Sequence, residues 1–153
     1  MNIIVVKADG EFYTRPDTTL EREAKDFYIP DDIVSATARN CTYIKIIKAG
    51  KAIPKVFAHR YFDALGRGIL FTCNGSITHI DYSSYFFEGT TPAYQLDRAQ
   101  FDHICAEIER VTRHISVRFA DIIAFEADDP ATYHRGDAVN RYSDSPDLEF
   151  NIR

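Results

Sequence analysis

One feature of this sequence limits its fold more than any other: a single long segment has helical periodicity. Apolar side chains recur at steps of three and four between Arg98 and Val117, at Phe101, Ile104, Cys105, Ile108, Val111 and Ile115. Asp97 precedes this segment as an N-cap candidate, and Gln100 stands where the partner in a capping box would stand. We therefore predict one long amphipathic helix over residues 98–117.

The other apolar segments are short and rich in β-branched and aromatic residues, which is typical of strands. The predicted strands cover residues 3–7, 27–29, 42–48, 69–73, 76–82, 84–88, 121–126, 138–142 and 147–152. Phe57, Tyr61 and Leu65 recur every four residues, which predicts a short helix over residues 57–65 that Gly66 ends. These elements predict a β-rich α+β fold.

Length and charge restrict the class of protein. A chain of 153 residues suits one domain, so we predict a single domain over residues 1–153. Its 18 basic and 23 acidic residues give a formal charge of −5, which argues against a nucleic-acid or anionic-membrane partner.

The cysteines and the N-terminus indicate a compartment. Cys41, Cys73 and Cys105 lie far apart without a CxxC pair, so neither a disulfide framework nor a zinc site is indicated. Ile3–Val6 is too short for the core of a secretion signal. Both observations favour a reduced, cytoplasmic environment.

The histidines offer one weak metal site. His79 and Asp81 alternate on a predicted strand, so they share a face and are able to share a metal. We favour the simpler interpretation that they are a surface pair on a half-exposed strand.

Several blocks of the sequence follow one another in the order of a known set of motifs. Residues 48–53 read KAGKAI, 57–64 read FAHRYFDA, 68–72 read GILFT, 115–123 read ISVRFADII and 148–153 read LEFNIR. Together they resemble the fumarylacetoacetate hydrolase (FAH) family, and most closely the short bacterial FAH-like proteins with the stretch "GKNI…FAHRYYDAVTVGIDFTARD" and the ending "LxFNIK". The resemblance covers about two thirds of the chain.

This resemblance implies a fold and a chemistry. The fold is an FAH-like mixed β-roll or sandwich, usually dimeric. Family members generally use Mg²⁺ or Mn²⁺ to hydrolyse, decarboxylate or isomerise 2-oxo and 1,3-dicarbonyl acids. The family supplies the metal with a Glu-x-Glu pair on one strand and an Asp on another, because a hard cation prefers carboxylate oxygens.

The motif spacing locates those three ligand positions in this chain, and none of them carries a carboxylate. The two Glu positions fall on Arg39 and Cys41, and the Asp position falls on Leu70. A guanidinium repels a cation, a thiol is a poor ligand for Mg²⁺ and a leucine offers no donor. Asn74 replaces the Arg of the "ARD" motif. The resemblance thus implies a degenerate pocket at these four positions.

The matching blocks belong to the scaffold. His59, Tyr61 and Asp63 lie in the retained FAHRYFDA block, so we assign them structural roles, and we expect His59 to bond within the fold or at a subunit contact. The stretch between Thr72 and the long helix is shorter than in active relatives, which indicates a shortened member of the family.

Three functional hypotheses remain. The first is a non-catalytic FAH-like protein (a pseudoenzyme) that dimerises and acts as a binding or structural module, with Arg39 either holding a small carboxylate ligand or pointing to solvent. The second is a metal-dependent hydrolase, decarboxylase or isomerase with unusual ligands, such as His79 with Asp81 or Asp128 with Asp129. The third is thiol chemistry at Cys41 or Cys73. The missing ligands lead us to favour the first, without a catalytic residue or a metal.

Overall fold

The structure is a computed structural model that describes residues 1–21, 25–75, 82–142, 144 and 148–153. Within these residues, eight strands form one sheet in the order β2-β1-β7-β4-β5-β6-β3, with β8 paired to β4. Their bounds are β1 Ile3–Val6, β2 Phe12–Arg15, β3 Leu20–Glu21, β4 Ser35–Lys45, β5 Ala64–Cys73, β6 Tyr82–Pro92, β7 Ile122–Glu126 and β8 Ala131–His134. Two further short strands, β9 (Ala138–Val139) and β10 (Phe150–Asn151), pair with each other.

The connection between the two edge strands makes the sheet curl. β2 and β3 lie at opposite edges of the sheet, yet only residues 16–19 separate them in the chain. Four residues span at most about 14 Å, so the edges must approach each other. Since β1 lies parallel to β7 and β3 parallel to β6 while the other pairs are antiparallel, the result is a curled mixed sheet beside one long helix. The predicted β-rich α+β fold is confirmed.

Both faces of the curled sheet carry buried side chains, as strand β1 illustrates. Its residues Ile3, Ile4, Val5 and Val6 are all buried. Because side chains alternate along a strand, Ile4 and Val6 pack against the long helix, whereas Ile3 and Val5 point to the inner face. There they join the interior cluster, which we define as Ile3, Val5, Cys41, Tyr43, Leu70, Ile122 and Ala124.

The long helix α1 spans Arg98–Thr112 and begins as predicted. The Asp97 side chain accepts a hydrogen bond from the Gln100 N–H at 2.8 Å. The helix ends five residues before the predicted position 117. The loop at residues 50–53 ends it, because the Ala52 N–H donates to the Thr112 carbonyl at 2.7 Å and the Thr112 hydroxyl accepts from the Ile53 N–H at 3.0 Å.

The predicted bounds of the short helix, 57–65, are wrong. The chain forms a 3-10 helix over Lys55–Arg60, and Leu65 and Gly66 already belong to β5. Gly66 serves close packing rather than helix termination, because a Cβ there would lie 2.3 Å from the Tyr43 ring.

Three strands escaped prediction: β2 because its sequence is polar, and β3 and β8 because their partners, β6 and β4, lie far away in the sequence. β2 and β3 fall in a polar segment predicted as loops, and β8 falls just before and within a predicted turn. The predicted strand 76–82 lies outside the described residues except for Tyr82, as does Asp147 at the start of the predicted strand 147–152. Among the helices that the structure describes, none is long and apolar enough to cross a membrane.

The guanidinium of Arg15 joins β2 to strands across the interior of the curled sheet. Arg15 is 2% exposed, and its Nη1 donates to the carbonyl oxygens of Phe71 (3.0 Å) and Ser83 (3.1 Å) and to Ser84 Oγ (3.2 Å). Its Nε and Nη2 donate to the Tyr13 hydroxyl at 3.1 and 2.9 Å. We call this set of contacts the Arg15 clasp. It holds the edge strand β2 against β5 and β6.

Replacing Arg15 with lysine should destabilise the fold by about 2–4 kcal/mol, because one ammonium cannot reach acceptors on both sides of a planar guanidinium and leaves buried oxygens unpaired. Urea unfolding followed by circular dichroism measures this loss. The control is Arg98→Lys, whose side chain is 93% exposed and which should change stability by less than about 0.5 kcal/mol. Equal effects of the two substitutions would contradict the clasp.

Gly68→Ala should cost about 3 kcal/mol or more, because a Cβ at Gly68 would lie 2.2 Å from the main-chain oxygen of Tyr85 on the neighbouring strand. The matched control is Gly89→Ala on β6, where a Cβ meets nothing within 4 Å. Thermal unfolding of both variants should show a much lower Tm for the first alone. A Gly68→Ala protein as stable as the control would disprove the close strand approach.

Candidate functional site

A cavity of about 450 Å³ opens at the rim of the curled sheet, above the interior cluster. Four strands contribute to it, because residues on the same face of neighbouring strands lie side by side. Arg39 of β4 pairs in register with Leu70 of β5, and Cys41 pairs with Glu126 of β7. The cavity lining consists of Lys7, Glu11, Phe12, Tyr13, Arg39, Thr72 and Glu126. We call this space the rim cavity.

Arg39 and Glu126 form a loose ion pair in the rim cavity. Arg39 Nε lies 3.6 Å from Glu126 Oε1, and the side chains are 32% and 9% exposed. The Arg39 side chain makes no hydrogen bond to another described residue. Its two terminal Nη groups are therefore available to donate hydrogen bonds to a planar anion in the cavity.

Burial raises the pKa of the Glu126 carboxyl above its ordinary value. The positive charges of Arg39, Arg15 and Lys7 lower this pKa and thus oppose the effect of burial, and Asp9 adds to it. Groups with shifted pKa values cluster in functional sites. Glu126 is accordingly the acid–base group best placed in the rim cavity.

Cys41 and Leu70 lie below the rim cavity rather than in its wall. Both are 2% exposed and belong to the interior cluster with Ile3 and Val5. Burial raises the pKa of the Cys41 thiol far above the physiological range, so the sulfur stays protonated. Cys73 is also buried. The environment of Cys41 makes a nucleophilic or metal-binding thiolate unfavourable there.

The residues present do not fit a divalent cation. The three positions that the resemblance assigns to metal ligands carry a guanidinium, a neutral thiol and an alkyl group, and Mg²⁺ and Mn²⁺ prefer carboxylate oxygens. Within the described part of the chain, no three His, Cys, Asp or Glu side chains come together to hold a metal. The alternative ligands His79 and Asp81 lie outside the described residues.

Asp129, another alternative ligand, has a structural role. Its Oδ1 accepts the Asn40 N–H at 3.0 Å, and its Oδ2 lies 2.8 Å from Arg141 Nη2. Arg141 also donates to Asn40 Oδ1 at 2.8 Å, and Tyr142 donates to the carbonyl oxygen of Gly68 at 2.7 Å. These bonds fasten the segment around residues 141–142 across β4 and β5. Asp128 is exposed.

Asn74 lies away from the rim cavity. Its side chain accepts from Thr37 Oγ1 and donates to Ser35 Oγ, both at 3.1 Å, so it ties the end of β5 to the start of β4. The prediction that Asn74 shares a pocket with Arg39 is not supported by this placement.

The three scaffold candidates lie in and after the 3-10 helix. Tyr61 packs its ring over Gly50 and beneath the Lys48 ammonium, 5.5 Å from the ring centre. His59 is exposed, and its side chain makes no hydrogen bond to another described residue. The expected bond within the fold is therefore not seen among these residues, and a contact of His59 with a second subunit stays a prediction. Asp63 is exposed, and its carbonyl accepts from the Ala93 N–H at 2.8 Å.

Asp63 also lines a second, larger cleft of about 900 Å³ at the opposite end of β4. Its wall combines aromatic and charged side chains, including Tyr43, Lys45, Phe86 and Glu88.

Sequence reasoning missed Lys7, Tyr13, Thr72 and Glu126 as cavity residues, and it missed Arg15 beside them. A partial signal existed for Glu126, because it ends a predicted apolar strand with a carboxylate. No local pattern distinguishes the others, since their strands meet only after the sheet has curled.

Comparisons with known proteins address the fold. No protein-family model matches the sequence, and no curated protein matches it. Solved structures do match. A FAH family protein from Yersinia pestis CO92 aligns with a TM-score of 0.74 at 13% identity, over 99% of this chain and 92% of the other.

Two enzymes with solved structures are similar to the chain as well. The 5-carboxymethyl-2-hydroxymuconate delta-isomerase from Mycobacterium smegmatis aligns with a TM-score of 0.76 at 12% identity, over 99% of this chain and 78% of the other. Maleylpyruvate hydrolase from Sphingobium sp. SYK-6, solved with manganese(II) and pyruvate, aligns with a TM-score of 0.76 at 14% identity, over 99% and 69%. From the β-rich architecture and these alignments, we conclude that the chain has the fold of the fumarylacetoacetate hydrolase family.

Proposed function

We propose that this chain is a non-catalytic binding module that holds a small carboxylate ligand at Arg39 without a metal ion. One observation carries the proposal: the Arg39 guanidinium lines the rim cavity, is only one-third exposed and has no hydrogen bond among the described residues. A planar guanidinium with free Nη groups matches a carboxylate through two parallel hydrogen bonds.

The rest of the rim cavity supports a small anion. A volume of about 450 Å³ suits a small organic molecule, the Lys7 ammonium adds a second positive charge, and the Thr72 side chain supplies a hydroxyl group. Partial burial strengthens the attraction, because a charge pair away from bulk water is screened less. Pyruvate is a suitable probe, since a maleylpyruvate hydrolase of the same fold has been solved with it.

The absence of catalysis is part of the proposal for a chemical reason. The positions assigned to metal ligands carry Arg39, Cys41 and Leu70, which do not polarise an oxo-carboxylate as a divalent cation does. Arg39 supplies positive charge and hydrogen-bond donors for binding, but unlike a metal ion a guanidinium does not coordinate the substrate's oxygen as a Lewis acid.

A second candidate is a metal-dependent hydrolase, decarboxylase or isomerase that recruits unusual ligands. The names of the similar structures, an isomerase and a hydrolase with bound manganese(II), favour this candidate. It requires a Mg²⁺ or Mn²⁺ site whose ligands differ from those that the resemblance implies.

Two further expectations belong to the same proposal. By analogy with the family we propose a homodimer, which light scattering during size-exclusion chromatography measures. Cys41, Cys73 and Cys105 are buried and form no disulfide, which agrees with a reducing compartment such as the cytoplasm.

Pyruvate should bind wild-type protein, and Arg39→Gln should weaken the binding at least about tenfold, because a charged hydrogen-bonded pair contributes about 1.5–3 kcal/mol. Chemical shifts of backbone amides during titration measure Kd. Methyl pyruvate, which lacks the negative charge, should not compete. The control Arg113→Gln on the exposed end of α1 should bind like wild type. Equal binding by Arg39→Gln would overturn the proposed site.

Mn²⁺ should not bind chelator-stripped protein with micromolar affinity, because the expected carboxylate ligands are replaced. Isothermal titration calorimetry measures this directly, and the same titration with pyruvate present tests for a site completed by the ligand. Micromolar binding of one Mn²⁺ per chain in either titration would favour the second candidate over the first.

A further inference from the structure

We propose that carboxylate binding at Arg39 is coupled to the uptake of one proton by Glu126, so that the ligand displaces Glu126 from the guanidinium and Glu126 becomes neutral. This inference rests on the proposed function and adds the regulation of the same site. The overall step is balanced in charge and atoms: protein with ionised Glu126, one proton and one carboxylate give a complex with protonated Glu126.

The geometry makes Glu126 compete with the ligand for the Arg39 guanidinium. Its contact with Arg39 runs through Nε at 3.6 Å, beyond hydrogen-bond distance, so the pair is easily exchanged. Among the described residues the Glu126 carboxylate accepts no hydrogen bond, and Arg39 is its one ion-pair partner. A ligand that occupies Arg39 therefore takes away the closest positive charge from a side chain that is only 9% exposed.

Other charged groups around Glu126 do not replace Arg39. The turn between β1 and β2 presents Lys7, Asp9 and Glu11, in which the Lys7 ammonium lies 4.0 Å from Asp9 and 3.8 Å from Glu11 and is shared with both. From β4, Cys41 stays neutral because burial raises its pKa.

β2 and the segment after β7 complete the surroundings of Glu126. From β2, Arg15 donates to the oxygens of its clasp, including the Tyr13 hydroxyl. Asp128 and Asp129, which follow β7, are acidic, and Asp129 is paired with Arg141. The surroundings thus offer no new cation to an ionised Glu126 once the ligand binds.

Protonation of Glu126 removes the repulsion between its carboxylate and that of the bound ligand. An ionised Glu126 beside a bound carboxylate places two negative charges on one guanidinium in a partly buried site, which is unfavourable. Protonation removes the repulsion and gives Glu126 an O–H group that donates to an oxygen of the ligand. Burial already raises the pKa of Glu126 in the free protein, which lowers the cost of this proton uptake.

The affinity for the carboxylate ligand should increase as the pH falls. While Glu126 is ionised in the free protein and protonated in the complex, affinity rises about tenfold for each unit by which the pH falls. It levels off below the pKa of Glu126 in the free protein, where Glu126 is already neutral. The carboxyl group of a 2-oxo acid is more acidic than a peptide α-carboxyl, whose pKa is about 3.5, so it stays ionised throughout this range and its own titration does not contribute.

The test is a set of pyruvate titrations between pH 5 and 8. Wild type should bind at least about tenfold more tightly at pH 5.5 than at pH 7.5. Glu126→Gln, which mimics the neutral acid, should bind tightly with little pH dependence and at least about tenfold more tightly than wild type at pH 7.5. The control Asp102→Asn removes a half-exposed carboxylate that pairs with Arg98 on α1, away from the Arg39–Glu126 pair, and should retain the wild-type slope.

A second measurement needs no substitution. Calorimetric titration of wild type with pyruvate at pH 7, in buffers of different ionisation enthalpy, should show uptake of close to one proton per ligand. Wild-type binding without proton uptake, or with the same pH slope in Glu126→Gln, would overturn the coupling and leave the proposed function intact. Binding that is insensitive to Arg39→Gln, or absent even at pH 5, would instead refute the proposed function.

Discussion

The Arg15 guanidinium is the contact on which the shape of the interior depends. It reaches from the edge strand β2 to main-chain oxygens of Phe71 on β5 and Ser83 on β6. It also donates to the Ser84 hydroxyl through Nη1 and to the Tyr13 phenol oxygen through Nε and Nη2, so all three of its nitrogens have acceptors. Burying a cation is costly unless hydrogen bonds compensate for the lost water. Because the acceptors at Phe71, Ser83 and Ser84 belong to strands β5 and β6, which are not neighbours of β2 in the sheet order, this compensation requires the sheet to curl.

The curled sheet in turn determines where a ligand can bind. The interior cluster fills the space around Cys41 and Leu70 with apolar side chains, which leaves the rim, where Arg39 and Glu126 meet, as the accessible polar region. The similarity to enzyme structures at 12–14% identity describes the path of the backbone and not the side chains in its interior. In this chain the positive charge at the rim cavity comes from the side chains of Arg39 and Lys7.

Local patterns predicted the elements that depend on neighbouring residues. Asp97 and the apolar stripe of α1 located the start of the helix, since a cap and a helical face are formed within a few residues. Its end depends on the loop that supplies the Ala52 N–H, and no residue near Thr112 indicates that contact. The same limit applies to β3, which becomes a strand because Leu20 pairs with the distant residue Ser84 of β6.

The sequence by itself determined the fold class and the place of the long helix, because composition and periodicity are properties of residue order. The tertiary structure decided which of the positions singled out in the sequence faces a cavity. Arg39 and Cys41 are two residues apart on one strand face, yet the closure of the sheet buries one and leaves the other beside Glu126. Burial and charge pairing arise between strands distant in the chain, and these interactions set the chemistry of the site.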